Sequence, residues 1–132
     1  MDKVWLDRGL NLRLITYDVV ATGNDCGMIE IVTSAATTND IHVEFGGGPN
    51  KGPRDERTHF QYLQSHNMNE KRLDAARYNY ARSAAGYAVA TYVLGIGDRH
   101  PDNIMLRENG VLFHIDFGHF LGNFKVRFYK IK

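Results

Sequence analysis

The stretch Gly97-Asp98-Arg99-His100-Pro101-Asp102-Asn103, then Ile104 through Asp116-Phe117-Gly118-His119, decides how this chain is read. Its centre is Asn109-Gly110, the dipeptide preferred in a two-residue type I′ turn because both central residues need φ > 0. The flanks, Ile104-Met105-Leu106-Arg107 and Val111-Leu112-Phe113-His114-Ile115, are short apolar runs of strand character. A two-residue turn sets Glu108 opposite Val111, Leu106 opposite Phe113, Ile104 opposite Ile115 and Asn103 opposite Asp116. Directly opposed residues of an antiparallel pair share a face, with Cβ atoms roughly 5 Å apart. An amide oxygen and a carboxylate would then stand together at the open end of the hairpin. Such hard oxygen donors suit Mg²⁺, which is held by one or two carboxylates plus substrate phosphates. Asp98 and His100 precede the first strand and reach the same point, so the residues point to phosphoryl transfer.

Composition narrows the rest. The chain has 132 residues, 43% of them hydrophobic, enough for the core of one domain at most. A net charge of +1 is too balanced to argue for nucleic acid. The single cysteine, Cys26, excludes an intramolecular disulfide and fits a reducing cytosolic compartment. No apolar run approaches the ~18 residues of a membrane span and no signal peptide opens the chain, so membrane contact would be peripheral.

Taken in order, Met1 to Asp7 reads as a helix end stopped at Gly9. Leu12 to Val20 and Gly27 to Thr33 read as two strands joined by a turn at Thr22-Gly23-Asn24-Asp25. Thr33 to Phe45 is polar, then strand-like over Ile41-His42-Val43-Glu44-Phe45. The Gly46-to-Pro53 run has linker composition; no Gly-Lys-Ser/Thr follows it, so a plain loop is preferred to a phosphate cradle. Asp55 to His66 reads as a short amphipathic helix with Phe60 and Leu63 on one face. Asn67-x-x-Glu70 resembles a capping box opening a long helix to about Leu94. Leu73, Ala76, Tyr80, Ala84, Tyr87 and Thr91 keep helical spacing. Ala84 to Ala90 is small or apolar all round and is expected to be buried as a scaffold. Gly95 and Gly97 end that helix. The basic, aromatic tail Phe124 to Lys132 could lie against an anionic lipid surface or be simply solvated.

Asp98-Arg99-His100-x-x-Asn103 followed by Asp116-Phe117-Gly118 resembles the phosphoinositide 3-kinase catalytic domain and its lipid- and protein-kinase relatives. The fuller strings, Val93 to His100 and Phe113 to Gly122, look most like a class I catalytic subunit. The resemblance implies an α+β, kinase-like fold. Residues 1–45 would be the end of the N-lobe with the hinge strands, residues 46–54 a flexible linker, and residues 55–132 the C-lobe. Within that lobe lie a catalytic loop at 97–103 and a metal-binding loop at 116–119. It also implies ATP and Mg²⁺ as cofactors, with Asn103 and Asp116 as metal ligands. His100 becomes the base for the attacking inositol hydroxyl, a role that suits an imidazole of pKa about 6.5. Asp98 would support it or the substrate, and His119 would stabilise charge on the transferring phosphoryl group. Glu30 (C=O) and Val32 (N–H) would hold adenine at the hinge, with Tyr17, Met105 and Ile115 lining the pocket. From the residues alone, the first two strands read as an ordinary buried hairpin; the hinge assignment is what the resemblance implies. On a flat hairpin of the expected register, Met105 and Ile115 face opposite sides; strand twist could reconcile them. His114 is read as structural.

Since a complete kinase of this kind has two lobes, the chain is expected to be a fragment, from a truncated gene model or otherwise, and inactive alone. The family's phosphate-binding loop and ATP-contacting lysine would lie upstream of Met1. The tail lacks the Lys-Arg-x-Arg box with which class I enzymes read the lipid headgroup. The resemblance implies a phosphoinositide substrate, a cytoplasmic protein recruited to the inner face of the plasma membrane, and, through regions not in this chain, an SH2-containing adaptor and small GTPases. Three other readings stay open: a phosphatidylinositol 4-kinase, a related protein-serine kinase, and a non-catalytic fragment that only binds nucleotide or a partner.

Overall fold

The computed structural model describes residues 1–46 and 57–122. Helix α1 (Asp2–Leu6) leads into an extended segment and a two-stranded ribbon, β1 (Val19–Gly23) and β2 (Cys26–Ile29). After it come β3 (Ala35–Thr37), α2 (Thr38–Phe45), α3 (Thr58–His66) and the long α4 (Glu70–Leu94). A 3₁₀ turn, Pro101–Asn103, then opens the hairpin β4 (Ile104–Arg107) and β5 (Leu112–His114). The hairpin is extended by β3 into an antiparallel sheet of order β3-β4-β5. The mixture of helices and small antiparallel sheets is the α+β class expected.

Helix α4 is the scaffold. Asn69, not Asn67, is its N-cap, its side chain accepting from Lys71 N at 2.9 Å. Asn67 instead donates from Nδ2 to Leu63 O and Glu108 O, tying α3 to the hairpin tip. The helix ends as the sequence predicts, on Gly95 in the left-handed region. Burial is one-sided rather than complete: Ala76, Ser83, Gly86, Tyr87 and Ala90 are buried while Ala85, Ala88 and Val89 are exposed. The small residues do serve close approach. A Cβ on Gly86 would lie 2.8 Å from a Leu14 methyl, where the extended segment crosses the helix.

Tertiary contacts override local propensity in three places. Ile41 to Phe45 is helical, not a strand: Thr37 caps the helix by accepting from Asp40 N at 3.0 Å, and Ile41 is buried one turn in. The first ribbon strand begins at Val19 rather than Leu12, and the second ends at Ile29 rather than Thr33. Beyond them, Asp18 O accepts from Glu30 N at 2.8 Å. Strand β3 has no sequence signature, because a three-residue edge pairing, Ala35 with Arg107 to Thr37 with Met105, leaves no alternation to read. Of the predicted linker 46–54 only Gly46 is described. The start of the helix expected from Asp55 and the basic tail from Phe124 also lie outside the described residues.

The hairpin loop has three residues, not two. Gly110 N donates to Arg107 O at 2.8 Å and Arg107 N to Val111 O at 2.9 Å. Gly110 alone in the loop has positive φ, +89°; Asn109 instead turns its side-chain oxygen to Val111 N at 3.2 Å. This is a type I turn followed by a glycine bulge. Packing against α4 enforces it, since a Cβ on Gly110 would stand 2.0 Å from Ala76 O. Asn79 Nδ2 donates to Asn109 O at 3.0 Å, and Leu112 N donates to the buried Ser83 Oγ at 2.9 Å. The core closes around this seam, with Ile41, Tyr62, Leu63, Tyr87, Leu106 and Phe113 in one cluster.

Gly110→Ala should therefore lower the unfolding free energy by at least about 3 kcal/mol, through backbone overlap and positive φ together. Ser83→Ala should cost about 1–3 kcal/mol by stranding a buried N–H. Asn109→Ala should cost no more than about 1 kcal/mol. Urea unfolding of the three variants measures the order.

Candidate active site

The one-residue change in the loop moves every pairing above it. Leu106 faces Leu112, Met105 faces Phe113 and Ile104 faces His114. One step further, Ile115 N donates to Asn103 O at 3.0 Å. Asn103 is thus opposite Ile115, not Asp116, which corrects the predicted register. The shift also removes the difficulty over Met105 and Ile115. Phe113 shares a face with Met105, and Ile115, two residues on, points the same way. No special twist is needed.

That face forms one wall of a cleft of about 410 Å³ lined by Tyr17, Ile29, Glu30, Ile31, Val32, Met105, Phe113, Ile115 and Asp116. All five residues assigned to nucleotide contact from the sequence meet here, and the space falls in the range of small-molecule pockets. Burial raises the Tyr17 phenol above its usual pKa, with Arg99 opposing and Asp116 adding to the shift, so Tyr17 is a neutral hydroxyl at the cleft wall.

The residues of the 97–103 loop are set by backbone geometry. Gly95 turns the chain out of α4, and Asp98 takes a positive φ of 56°. His100 caps the 3₁₀ turn, its Nδ1 lying 3.3 Å from Asp102 N. Thr38 Oγ1 donates to Pro101 O at 2.8 Å, pinning the turn to α2. The half-exposed imidazole lies between two carboxylates, with Nε2 3.9 Å from Asp98 Oδ1 and Nδ1 3.6 Å from Asp102 Oδ2. Asp102 was given no role from the sequence; its place two residues beyond a histidine that caps its own turn was the available signal.

Asn103 is buried and donates from Nδ2 to Asp98 O at 2.9 Å, so its Oδ1 is the atom available to a cation. Asp116 is exposed, takes φ +54° and accepts at Oδ1 from Gly118 N at 3.3 Å. The left-handed turn at Asp116 interrupts strand alternation just where the register alone would send its side chain away from that of Asn103. A carboxylate and an amide oxygen are donor types that suit Mg²⁺ completed by water and phosphate. The segment after Phe117 folds back on the loop, with Gly97 N donating to His119 O at 2.8 Å and Leu121 N to Leu94 O at 3.0 Å. His119 is thereby held beside the 97–103 loop through its backbone.

Sequence reasoning passed over Arg99. Its Nε donates to Gly97 O at 2.8 Å, Nη1 to Ile115 O at 2.7 Å, and Nη2 to Asp116 O. His114 lies directly behind, buried and stacked on Tyr87 with ring centroids 4.7 Å apart. Burial, and then the Arg99 charge, push its pKa down to about 4. This is a packing position, in keeping with the structural reading of His114.

The family model for phosphatidylinositol 3- and 4-kinase matches residues 1–132. The chain belongs to this family. Over 128 residues, 97% of the chain, it is 47% identical to phosphatidylinositol 3-kinase 2 of Dictyostelium discoideum. It is 46% identical over 123 residues, 93% of the chain, to the phosphatidylinositol 4-phosphate 3-kinase C2 domain-containing subunit alpha of Pongo abelii. It is also 41% identical over 126 residues, 96% of the chain, to phosphatidylinositol 3-kinase piki-1 of Caenorhabditis elegans. This family segment spans 7%, 7% and 8% of those relatives' lengths, respectively. Among the described residues no helix is long and apolar enough to cross a membrane.

The pH dependence of stability follows from His114. Its folded pKa lies below the usual 6.5, so the unfolded chain binds the proton first and stability falls as pH drops from about 6.5 to about 4. The loss should be on the order of 3 kcal/mol across that window. His59, also lowered by burial, acts in the same direction. His114→Phe, which keeps the stack on Tyr87, should flatten the dependence in denaturant titrations at several pH values.

Proposed function

We propose that the polypeptide carrying this chain transfers the γ-phosphate of ATP to the inositol 3-hydroxyl of a phosphoinositide. The observation that carries the reading is the convergence of the cleft residues Tyr17, Glu30, Val32, Met105 and Ile115 with Asp116 in one space. The kinase relatives support it, and their printed names favour the 3-hydroxyl over the 4-hydroxyl.

In this reading the Glu30 carbonyl and the Val32 N–H receive the adenine edge, and Met105 and Ile115 pack on its face. Asn103 and Asp116 would hold Mg²⁺, which supplies neutralisation of phosphate charge when bound. His100 takes the proton of the attacking hydroxyl. Asp98 lies close to its Nε2, at 3.9 Å, and Asp102 close to its Nδ1, at 3.6 Å. His119 stabilises charge on the transferring group. Recruitment from the cytoplasm to the inner plasma-membrane leaflet, an SH2-containing adaptor and small GTPases belong to the same reading and rest on family resemblance alone.

The test is a lipid-kinase assay on the full-length polypeptide with phosphatidylinositol vesicles, followed by location of the phosphate on the ring. The expected product is the 3-phosphate. A 4-phosphate product, or phosphate on protein serine only, would overturn the assignment. Asp116→Ala should reduce turnover to background. His100→Ala should lower kcat on the order of 10²–10⁴-fold while the KM for ATP stays within about threefold. Equal losses in both would make His100 a positioning residue.

A further inference from the structure

We propose that Arg99 is the positioning residue that sets the spacing between Asn103 and Asp116; this rests on the phosphoryl-transfer reading above. The guanidinium binds main-chain carbonyls at both strand ends. It contacts Gly97 O at 2.8 Å through Nε, Ile115 O at 2.7 Å through Nη1, and Asp116 O through Nη2. Nη1 also lies 3.5 Å from Asn103 O, which itself accepts from Ile115 N at 3.0 Å. One side chain therefore reaches the backbone of both proposed ligand residues, at the point where the β4–β5 ladder stops.

The need for such a strap is physical. Between the Asn103–Ile115 bond and the bond from Gly97 N to His119 O the described residues show no main-chain hydrogen bond joining the two chains, and Asp116 turns away with φ +54°. Within that gap the spacing of the two chains is left to side chains, and among the described residues Arg99 is the one that spans it. The planar fork of arginine presents five donors in fixed directions and can bridge several carbonyls at once; the ammonium of lysine is a point charge on a flexible stem. Hydrogen bonds to a charged donor are also the stronger kind. Phe117 lies with its ring 5.5 Å from the guanidinium carbon, so the residue after Asp116 is held to the same group. Mg²⁺ demands near-ideal octahedral geometry and makes turnover sensitive to this spacing, whereas oxygen sites also accept Mn²⁺.

The experiment compares Arg99→Lys with wild type in the full-length polypeptide, varying free Mg²⁺ in excess over ATP and repeating with Mn²⁺. The expected result is a fall in kcat on the order of 10²-fold, as for a displacement of about 1 Å at a reacting centre. With it come a higher half-saturating Mg²⁺, a KM for ATP within about threefold of wild type, an unchanged thermal midpoint, and partial recovery in Mn²⁺. Wild-type kcat and Mg²⁺ dependence overturn the proposal. So does a loss of kcat with unaltered metal dependence. Arg99→Gln, planar but neutral, replaces the lysine variant if the latter is recovered unfolded; failure of both to fold makes Arg99 a residue of the fold and overturns the positioning role. Asp116→Ala in the same preparation separates the two claims. If it is active, the metal-site reading fails; if it is inactive while Arg99→Lys behaves as wild type, only the strap fails.

Discussion

The seat of Gly110 on helix α4 is the constraint from which the site's geometry follows. With the Ala76 carbonyl only 2.0 Å from where a Cβ would be, nothing but glycine fits, and its φ of +89° closes a three-residue loop. That loop sets the register, and register in a strand decides which face every side chain occupies. Through it, a contact at the hairpin tip determines that Met105, Phe113 and Ile115 point together into the cleft. Ser83 and Asn79 reinforce the same seat by satisfying hairpin groups from the helix. The long helix contributes no atom to the cleft, yet it orients one wall of it.

At the other end of the hairpin the problem is reversed. The loop there must present polar atoms outward, so apolar packing cannot hold it. The structure answers with backbone devices: Asp98 and Asp116 in the left-handed region, a 3₁₀ turn capped by His100, and a guanidinium directed at carbonyl oxygens rather than at the neighbouring carboxylates. Residues held in sparsely populated backbone regions concentrate where function requires a defined geometry. Behind this loop the packing is apolar and aromatic, with His114 buried and stacked on Tyr87, whose own hydroxyl is pushed up to about 12 by burial and donates to Ile15 O at 3.0 Å. A polar rim over an apolar floor keeps the charged groups of the loop on the solvent side.

Much of this was legible in the sequence because the signals were local. The Asp-Arg-His and Asp-Phe-Gly motifs, the glycine stop at Gly95 and the apolar runs around Asn109-Gly110 are read within a few residues of themselves. They suffice for the α+β class, the hairpin, the long helix, the family and the residues that meet at the cleft. Less local features were misread. Asn67 looked like a cap, yet its amide is drawn to Glu108 O; Ile41 to Phe45 looked like a strand, yet Thr37 and the buried Ile41 make it a helix.

The sequence by itself determined the family and which chemistry-bearing residue types stand in the motifs, since residue type and order along the chain are covalent facts. Only the tertiary structure decided how they face one another. Loop length depended on Ala76, 34 residues before Gly110 in the chain, and no pattern within the hairpin records that contact. The strap from Arg99 likewise joins carbonyls that every residue possesses, so it leaves no mark in residue identity at Gly97, Ile115 or Asp116. Side-chain chemistry is written in the sequence; a main-chain acceptor becomes special only when the fold brings a donor to it.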